Sequence, residues 1–248
     1  MTRLCIIGYG KMGRFIEAMA AQNGFEVVAR IDPMVPEVSP AISMENLAGA
    51  EVCVEFSHPA SVMDNIRAVA ALKVPLVVGT TGWNAHLDEV RSLVEQHSTA
   101  ILYGANFSIG MNIFNRVVAF ATQLCDKFPA YDMWGVELHH NQKADSPSGT
   151  AIQLAETVLA NNSRKSRPVY TMLDRRIEPD ELHFASVRGG KIPGRHVIGF
   201  DSEEDSITLE HSARSRACFA AGALQAARWL IGRQGLFTFN EMMQSILC

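Results

Sequence analysis

The sequence is poor in the features that mark a stapled, membrane-embedded or nucleic-acid-coating protein. It holds only five cysteines in 248 residues (Cys5, Cys53, Cys125, Cys218 and Cys248), widely scattered and without a C-x-x-C pair. That pattern excludes a disulfide framework or zinc ribbon and points to a reducing cytoplasm. No apolar run approaches the length of a membrane span, and the opening Met-Thr-Arg-Leu-Cys-Ile-Ile reaches Gly8 too soon for a secretory signal. Positive charge is also short. Lys and Arg number 22 against 26 Asp and Glu, a net charge of −4 with neutral histidines. Such a chain lacks the basic field that general nucleic-acid or anionic-membrane binding needs. Repeats and low-complexity segments are missing too. What remains is an ordinary globular composition, 48% apolar and 19% charged. The length suits one or two domains that bury a core without staples.

The first hundred residues alternate between two periodicities. Short apolar runs at Arg3–Ile7, Glu26–Ile31, Val52–Phe56, Leu76–Val78 and Ala100–Tyr103 read as strands. Between them, Lys11–Gln22, Pro59–Leu72 and Trp83–His97 carry helical spacing. Strands that are apolar throughout and separated by helices predict a parallel sheet covered on both faces. Pro33–Pro40, with three prolines, predicts a loop in place of one crossover helix. After Asn106 the rhythm changes to a long helix at Met111–Lys127, a strand at Asp132–His139 and a helix near Ser148–Leu159. Runs at Leu182–Val187, His196–Phe200 and Ser206–His211 then suggest an antiparallel meander. The small-residue helix Ala217–Ile231 is expected to pack back on the first domain. The expected architecture is α/β: a Rossmann-like dinucleotide-binding domain (1–106 plus 216–248) with an inserted α+β substrate-binding and oligomerisation domain (107–215).

Gly8-Tyr9-Gly10-Lys11-Met12-Gly13 matches G-x-G-x-x-G between a predicted strand and a predicted helix. Gly8 serves the tight turn, Gly10 lets the backbone approach a pyrophosphate, and Gly13 lets helix and strand pack closely. The helix N-terminus offers free N–H groups to the phosphates. Asp32, nineteen residues after Gly13, stands at the end of the second strand, where an acceptor meets the ribose hydroxyls. A plain structural turn is the competing reading. A carboxylate there accepts from a 2′-hydroxyl and repels a 2′-phosphate, which favours NADH. Lys11 could offset that repulsion, so NADPH is expected to be tolerated.

The second constellation runs Glu137-Leu138-His139-His140-Asn141-Gln142-Lys143-Ala144-Asp145-Ser146-Pro147-Ser148-Gly149-Thr150-Ala151. If the strand continues through His140, Glu137 and His139 share one face and His140 takes the other. This spacing differs from H-E-x-x-H, so no metal is expected. Pro147-Ser148-Gly149-Thr150 reads as a helix start, either an ordinary cap or, with Lys143 beside it, an anion site. His139 is the natural proton donor. Cys5 and Cys53 read as packing thiols, and His58 and His86 as loop and surface residues. Trp229 and Phe237 read as core or subunit contacts. The run Arg164-Lys165-Ser166-Arg167 reads as a solvated loop, with steering of an anionic substrate as the alternative.

With these residues in place the sequence resembles the 4-hydroxy-tetrahydrodipicolinate (dihydrodipicolinate) reductase family of the diaminopimelate route to lysine. The likeness rests on the Glu137–Ala151 signature. It extends to Glu55-Phe56-Ser57-His58-Pro59, Gly79-Thr80-Thr81-Gly82, Gly104-Ala105-Asn106-Phe107-Ser108-Ile109-Gly110, Arg188-Gly189-Gly190 with Gly194 and His196, and His211-Ser212-Ala213-Arg214-Ser215-Arg216 with Phe219 and Gly222-Ala223.

The resemblance implies roles by position. The family's catalytic histidine falls on His139 and its proton-donating lysine on Lys143. His140, Gly149 and Thr150 fall on substrate-carboxylate positions, with Ser148 beside them. The loop Gly79, Thr80, Thr81 and the segment Gly104, Ala105, Asn106, Phe107 fall where the family holds the nicotinamide half of its cofactor. Many members carry arginine after the acid at the second strand's end. Pro33 stands there in this chain, which supports the NADH preference. The implied reaction is NAD(P)H-dependent reduction of 4-hydroxy-tetrahydrodipicolinate, a small dicarboxylate, in a homotetramer assembled through the second domain's sheet. The competing functions are another nicotinamide-dependent imine or amino-dicarboxylate oxidoreductase and a catalytically silent dinucleotide sensor. A sensor would have no use for His139 and Lys143.

Overall fold

The computed structural model describes residues 1–247; Cys248, counted above among the scattered cysteines, lies outside the described residues. In chain order the elements are β1 (Thr2–Ile7), α1 (Lys11–Ala20), β2 (Phe25–Ile31), β3 (Val52–Glu55), α2 (Val62–Ala71), β4 (Leu76–Val78), α3 (Leu87–His97), β5 (Ala100–Tyr103) and α4 (Ile109–Cys125). There follow β6 (Asp132–His139), α5 (Gly149–Ala160), β7 (Arg167–Val169), β8 (Glu181–Arg188), β9 (Arg195–Asp201), β10 (Ser206–Ser212), α6 (Ala217–Leu230), β11 (Gly235–Thr238) and α7 (Phe239–Leu247). The chain divides into two compact units, Met1–Ile109 together with the segment from Arg216 onward, and Gly110–Ser215.

The first unit is a six-stranded parallel sheet in the order β11-β5-β4-β3-β1-β2. The interior positions of its central strands are apolar on both faces because each face has its own helical layer. Leu4, Ile6, Val52, Val54, Val77 and Leu102 point to the side packed by α1, α6 and α7. Cys5, Ile7, Cys53, Leu76, Val78 and Ile101 point to the side packed by α2 and α3. Leu4, Ile6 and Leu76 are fully buried, each contributing roughly 1.5–3 kcal/mol of transfer free energy. Cys5 and Cys53 are likewise fully buried. Residues 32–51 replace a crossover helix with turns, held by an isolated bridge between Ile31 and Ser39. This is a Rossmann-like fold.

The second unit is a five-stranded mixed sheet in the order β10-β9-β6-β8-β7. The expected meander of three successive strands is corrected here. β9 and β10 form an antiparallel hairpin, but β8 pairs in parallel with β6, which separates it from β9. The reason is burial. This register puts Met133 of β6, Phe184 of β8 and Ile198 and Phe200 of β9 into one core with α4 and α5.

The basic run 164–167 is also not a solvated loop. Lys165 is buried, its Nζ 2.5 Å from Asp132 Oδ1 and donating to the Pro179 carbonyl at 3.1 Å. Arg164 donates to the carbonyls of Pro129 and Tyr131, and Arg167 opens β7 and pairs with Glu181. Among the described residues no helix is long and apolar enough to cross a membrane.

Candidate functional site

Each unit presents one candidate site. In the first, the turn from β1 into α1 carries the glycine motif. Gly8 has φ +86°, and a Cβ there would stand 2.3 Å from the Phe56 carbonyl oxygen. A Cβ on Gly13 would meet the Gly8 carbonyl at 2.4 Å, so these two glycines exist for close packing. Gly10 differs, since nothing lies within 4 Å of its missing Cβ. Gly10 is also the N-cap of α1, makes no side-chain cap and is followed by no acid in the first turn. The positive end of α1 is therefore left to an anion from outside the chain.

Asp32 stands at the rim. Its Oδ2 accepts the Tyr9 N–H at 2.8 Å and its Oδ1 the Met34 N–H at 2.9 Å. A cavity of about 480 Å³ runs beside these groups, lined by Gly8, Gly10, Asp32, Pro33, Phe56 and Ser57 among others. An uncapped helix start, an open glycine and a carboxylate around one cavity fit a dinucleotide. The Tyr9 side chain is turned away from that task. Its hydroxyl donates to Glu17, which pairs with Arg30, and Arg14 lies over its ring at 4.7 Å. Met12 packs against the core and Lys11 is exposed.

Of the residues expected at the nicotinamide half, Thr80 is buried and its hydroxyl oxygen accepts the Ser57 N–H at 2.8 Å. Gly79 is half-buried, and Thr81 and Ala105 are exposed. Gly104 donates its N–H to Val78 at 3.3 Å, and Asn106 Oδ1 accepts the Ser108 N–H at 2.9 Å. The Phe107 ring is core, packed edge-on to Phe56 at 5.7 Å and against Phe239 at 4.8 Å.

The second site is built where β6 gives way to α5. Alternation along β6 sends Met133, Gly135, Glu137 and His139 to the helix-covered face. Glu137 is fully buried. Its Oε1 accepts the Ser148 N–H at 2.9 Å, the Ser186 hydroxyl at 2.8 Å and Arg188 at 2.8 Å. Burial alone would raise its pKa, but the donors from Ser148, Arg188 and Ser186 outweigh that and bring it down to about 2.

His139 Nδ1 lies 3.0 Å from Glu137 Oε2, close enough for a charge contact though bent away from hydrogen-bond alignment. Burial pushes the His139 pKa below the usual histidine value, with the Glu137 charge opposing it. Lys143 Nζ is held by Asp145 at 2.7 and 2.9 Å. The His140 N–H donates to Ile192 at 2.8 Å, and its Nδ1 is buried without a partner.

Ser148, expected among the carboxylate-binding residues, has its hydroxyl committed inward. It donates to Glu137 Oε2 and accepts the Ala151 N–H at 3.1 Å as the N-cap of α5. Gly149 is exposed, with open space where a side chain would stand, and Thr150 is half-buried.

Three members of this site, Arg188, Asp145 and His196, stand in the motifs quoted from the sequence but are given no role there. Arg188 bridges Glu137 and the Asp145 carbonyl, at 2.8 and 2.6 Å. Asp145 holds Lys143. His196 lies edge-on to His139 with ring centroids 5.2 Å apart, its pKa lowered by burial and by His139 to about 4. Asp145 lies inside the Glu137–Ala151 signature, whereas Arg188 and His196 arrive from β8 and β9, so local spacing could not join them to Glu137. Glu137, His139 and His196 bring three possible ligand atoms within 4.8 Å of one another. Arg188 and Lys143 crowd the same group with positive charge, which opposes a cation there.

Comparison with known proteins identifies the family. Residues 2–107 match the family described as dihydrodipicolinate reductase, N-terminus, and residues 110–243 its C-terminus. The chain is 36% identical to 4-hydroxy-tetrahydrodipicolinate reductase of Caldanaerobacter subterraneus subsp. tengcongensis, covering 98% of this chain and 99% of that one. It is 32% identical to the Christiangramia forsetii protein of the same name, over 98% of both chains. Among solved structures, dipicolinate-bound dihydrodipicolinate reductase from Paenisporosarcina sp. TG-14 shares the fold with a TM-score of 0.74. That match has 24% identity and covers 96% of this chain and 97% of that one. The chain belongs to the dihydrodipicolinate reductase family.

Proposed function

We infer that the chain reduces 4-hydroxy-tetrahydrodipicolinate to tetrahydrodipicolinate with a nicotinamide dinucleotide, and that His139 and Lys143 handle the proton. The observation that carries this reading is the juxtaposition, within one unit, of His139, Lys143 and the start of α5 around the buried Glu137. When bound, the reduced nicotinamide supplies hydride to C4 of the conjugated ring left after the substrate loses water. The Gly8–Gly13 turn and Asp32 would hold the cofactor's adenosine and phosphate portion, and the Gly79–Thr81 and Gly104–Phe107 segments its nicotinamide half.

The chain's own residues do the rest. The first N–H groups of α5, at Gly149 and Thr150, receive a substrate carboxylate, with His140 beside them. Lys143 leaves Asp145 for the anionic ring and holds positive charge near the reacting imine. His139, whose proton affinity is raised by the arriving dicarboxylate, donates the proton that completes reduction. Ser148 acts from behind by fixing the start of α5.

NADH is the preferred cofactor and NADPH is tolerated. Support comes from Asp32, followed by Pro33 rather than a basic residue, and from exposed Lys11. The inserted unit, roughly 107–215, is the substrate and oligomerisation domain. A homotetramer is supported by the face of its sheet that carries no helix, where Trp134 and Val187 are 37% and 46% exposed. The buried thiols Cys5, Cys53 and Cys125 suit a cytoplasmic home.

The test is NADH absorbance with substrate freshly made by the preceding synthase reaction. Consumption only in its presence supports the reading. A flat trace would leave another imine reductase or a silent sensor.

A further inference from the structure

One row of polar residues crosses the second sheet on its helix-covered face. The strand registers place His211 opposite His196, His196 opposite Glu137, and Glu137 opposite Ser186. The next row toward the end of β6 holds His139 opposite Arg188. Glu137 is thus a carboxylate beneath His139, and both its oxygens are tied to the α5 cap. Oε2 accepts the Ser148 hydroxyl and lies 3.0 Å from His139 Nδ1, outside hydrogen-bond alignment, and Oε1 receives the first backbone N–H of the α5 cap at 2.9 Å.

The other ring nitrogen of His139 looks elsewhere. Nε2 lies beside Gly194, where a Cβ would approach it to 3.1 Å. Gly194 adopts φ +146°, so glycine is favoured there for its backbone as well as for the room it leaves Nε2. His196 does not compete for the same task, since its Nε2 faces inward, 3.5 Å from Ser148 Oγ and 3.7 Å from Glu137 Oε2.

We propose that Glu137 is the positioning residue of this site. Its negative Oε2, 3.0 Å from Nδ1, disfavours a ring lone pair there and so favours the His139 tautomer with hydrogen on Nδ1, making Nε2 the atom that carries the transferred proton. Its Oε1 ties that histidine to the anion-binding start of α5 through Ser148. The proposal rests on the reading of His139 as proton donor. The proton balance is simple. Nε2–H breaks as the substrate gains the proton, Nδ1–H and ionised Glu137 remain as they were, and solvent later returns a proton to Nε2. A buried carboxylate that orients an imidazole in this way selects its tautomer and stabilises its charged form.

The charged and titratable groups facing His139 come from every element around it. Arg188 on β8 and Lys143 after β6 disfavour the imidazolium, Asp145 and Glu137 favour it, and His196 on β9 lies edge-on. Glu137 is the strongest of those that hold the proton on. Glu137→Gln keeps the shape and removes the charge. The alkaline limb of the kcat/KM profile is then expected to move to lower pH by about one to three units, while NADH affinity stays unchanged. Loss of a merely structural side chain would lower activity at every pH without moving that limb.

A second measurement needs no variant at Glu137. Nitrogen-15 NMR of histidine-labelled protein at high pH, with His139 assigned by the signal lost in His139→Gln, reads the tautomer directly. The Nδ1–H form is expected. The Nε2–H form, or a folded Glu137→Gln enzyme with the unaltered pH limb, overturns the proposal. If Glu137→Gln does not fold, the tautomer alone decides. Normal turnover of His139→Gln would instead sink the donor reading, which keeps the two failures apart.

Discussion

The backbone N–H of Tyr9 donates to Asp32 Oδ2 at 2.8 Å, tying the glycine turn before α1 to the end of β2. The residue proposed to meet the ribose therefore also shapes the loop proposed to meet the phosphates. The two roles separate by substitution. Asp32→Asn keeps an acceptor for Tyr9 and loses the charge, so the ratio of NADPH to NADH affinity is expected to rise about tenfold or more. Asp32→Ala loses both, and a hydrogen bond to a charged group is worth roughly 1.5–3 kcal/mol. NADH affinity should fall about tenfold or more, as measured by fluorescence titration. Equal effects of the two variants on both cofactors would contradict this division.

Proton donation is expected to fail without disturbing the first unit. His139→Gln and Lys143→Ala should each lower kcat by about 10²–10⁴-fold. The dissociation constant for NADH should stay near that of the unaltered enzyme. Unchanged turnover in both variants would remove these residues from the mechanism.

Two glycines predict opposite signatures. A Cβ on Gly222 would stand 1.7 Å from the Phe107 carbonyl oxygen, so α6 could not keep its present distance. Gly222→Ala is expected to cost about 1–3 kcal/mol or more and to lower the melting temperature by several degrees. Gly10 has open space around it, so Gly10→Ala should melt normally. Its methyl group would fill the approach to the α1 N-terminus and weaken NADH binding. Calorimetry and cofactor titration on the two variants check both halves.

Acid should destabilise the second unit through His196. Its folded pKa is depressed by burial, and by His139, to about 4, below the ordinary value of 6.5. A depressed group contributes stability that is present above the unfolded value. That stability is lost as pH falls from about 6.5 toward about 4. At 1.36 kcal/mol per unit the full loss is on the order of 3 kcal/mol. Glu137 acts only lower, as pH drops below the ordinary carboxylate range toward about 2. Urea unfolding at pH 7 and pH 4.5 should show a drop that His196→Gln reduces. An equal drop in both proteins would place the acid sensitivity elsewhere.

Much of this arrangement is legible in the amino-acid sequence. Glycine spacing located the turn between β1 and α1 because Gly8 and Gly13 are demanded by local close approach. Period-two alternation put Glu137 and His139 on one face of β6. What escaped comes from outside the local segment. Arg188 and His196 join Glu137 only through strand pairing, and the choice of β8 rather than β9 as its parallel neighbour is made by the core. Lys165 looked solvated because its partners Asp132 and Pro179 are distant in sequence. β7 and β11 lack the buried apolar run that marks β4 and β5, being half-buried or exposed along their length, yet β11 closes the edge of the first sheet beside β5.

The central claim is hydride delivery to the ring of a dicarboxylate substrate by this chain. NADH carrying deuterium at both nicotinamide C4 positions, freshly generated 4-hydroxy-tetrahydrodipicolinate and mass spectrometry of the product test it most directly. The account predicts tetrahydrodipicolinate with one deuterium at ring C4, and almost none of it formed by His139→Gln in the same time. Product without deuterium, or no product from the unaltered enzyme, would contradict it.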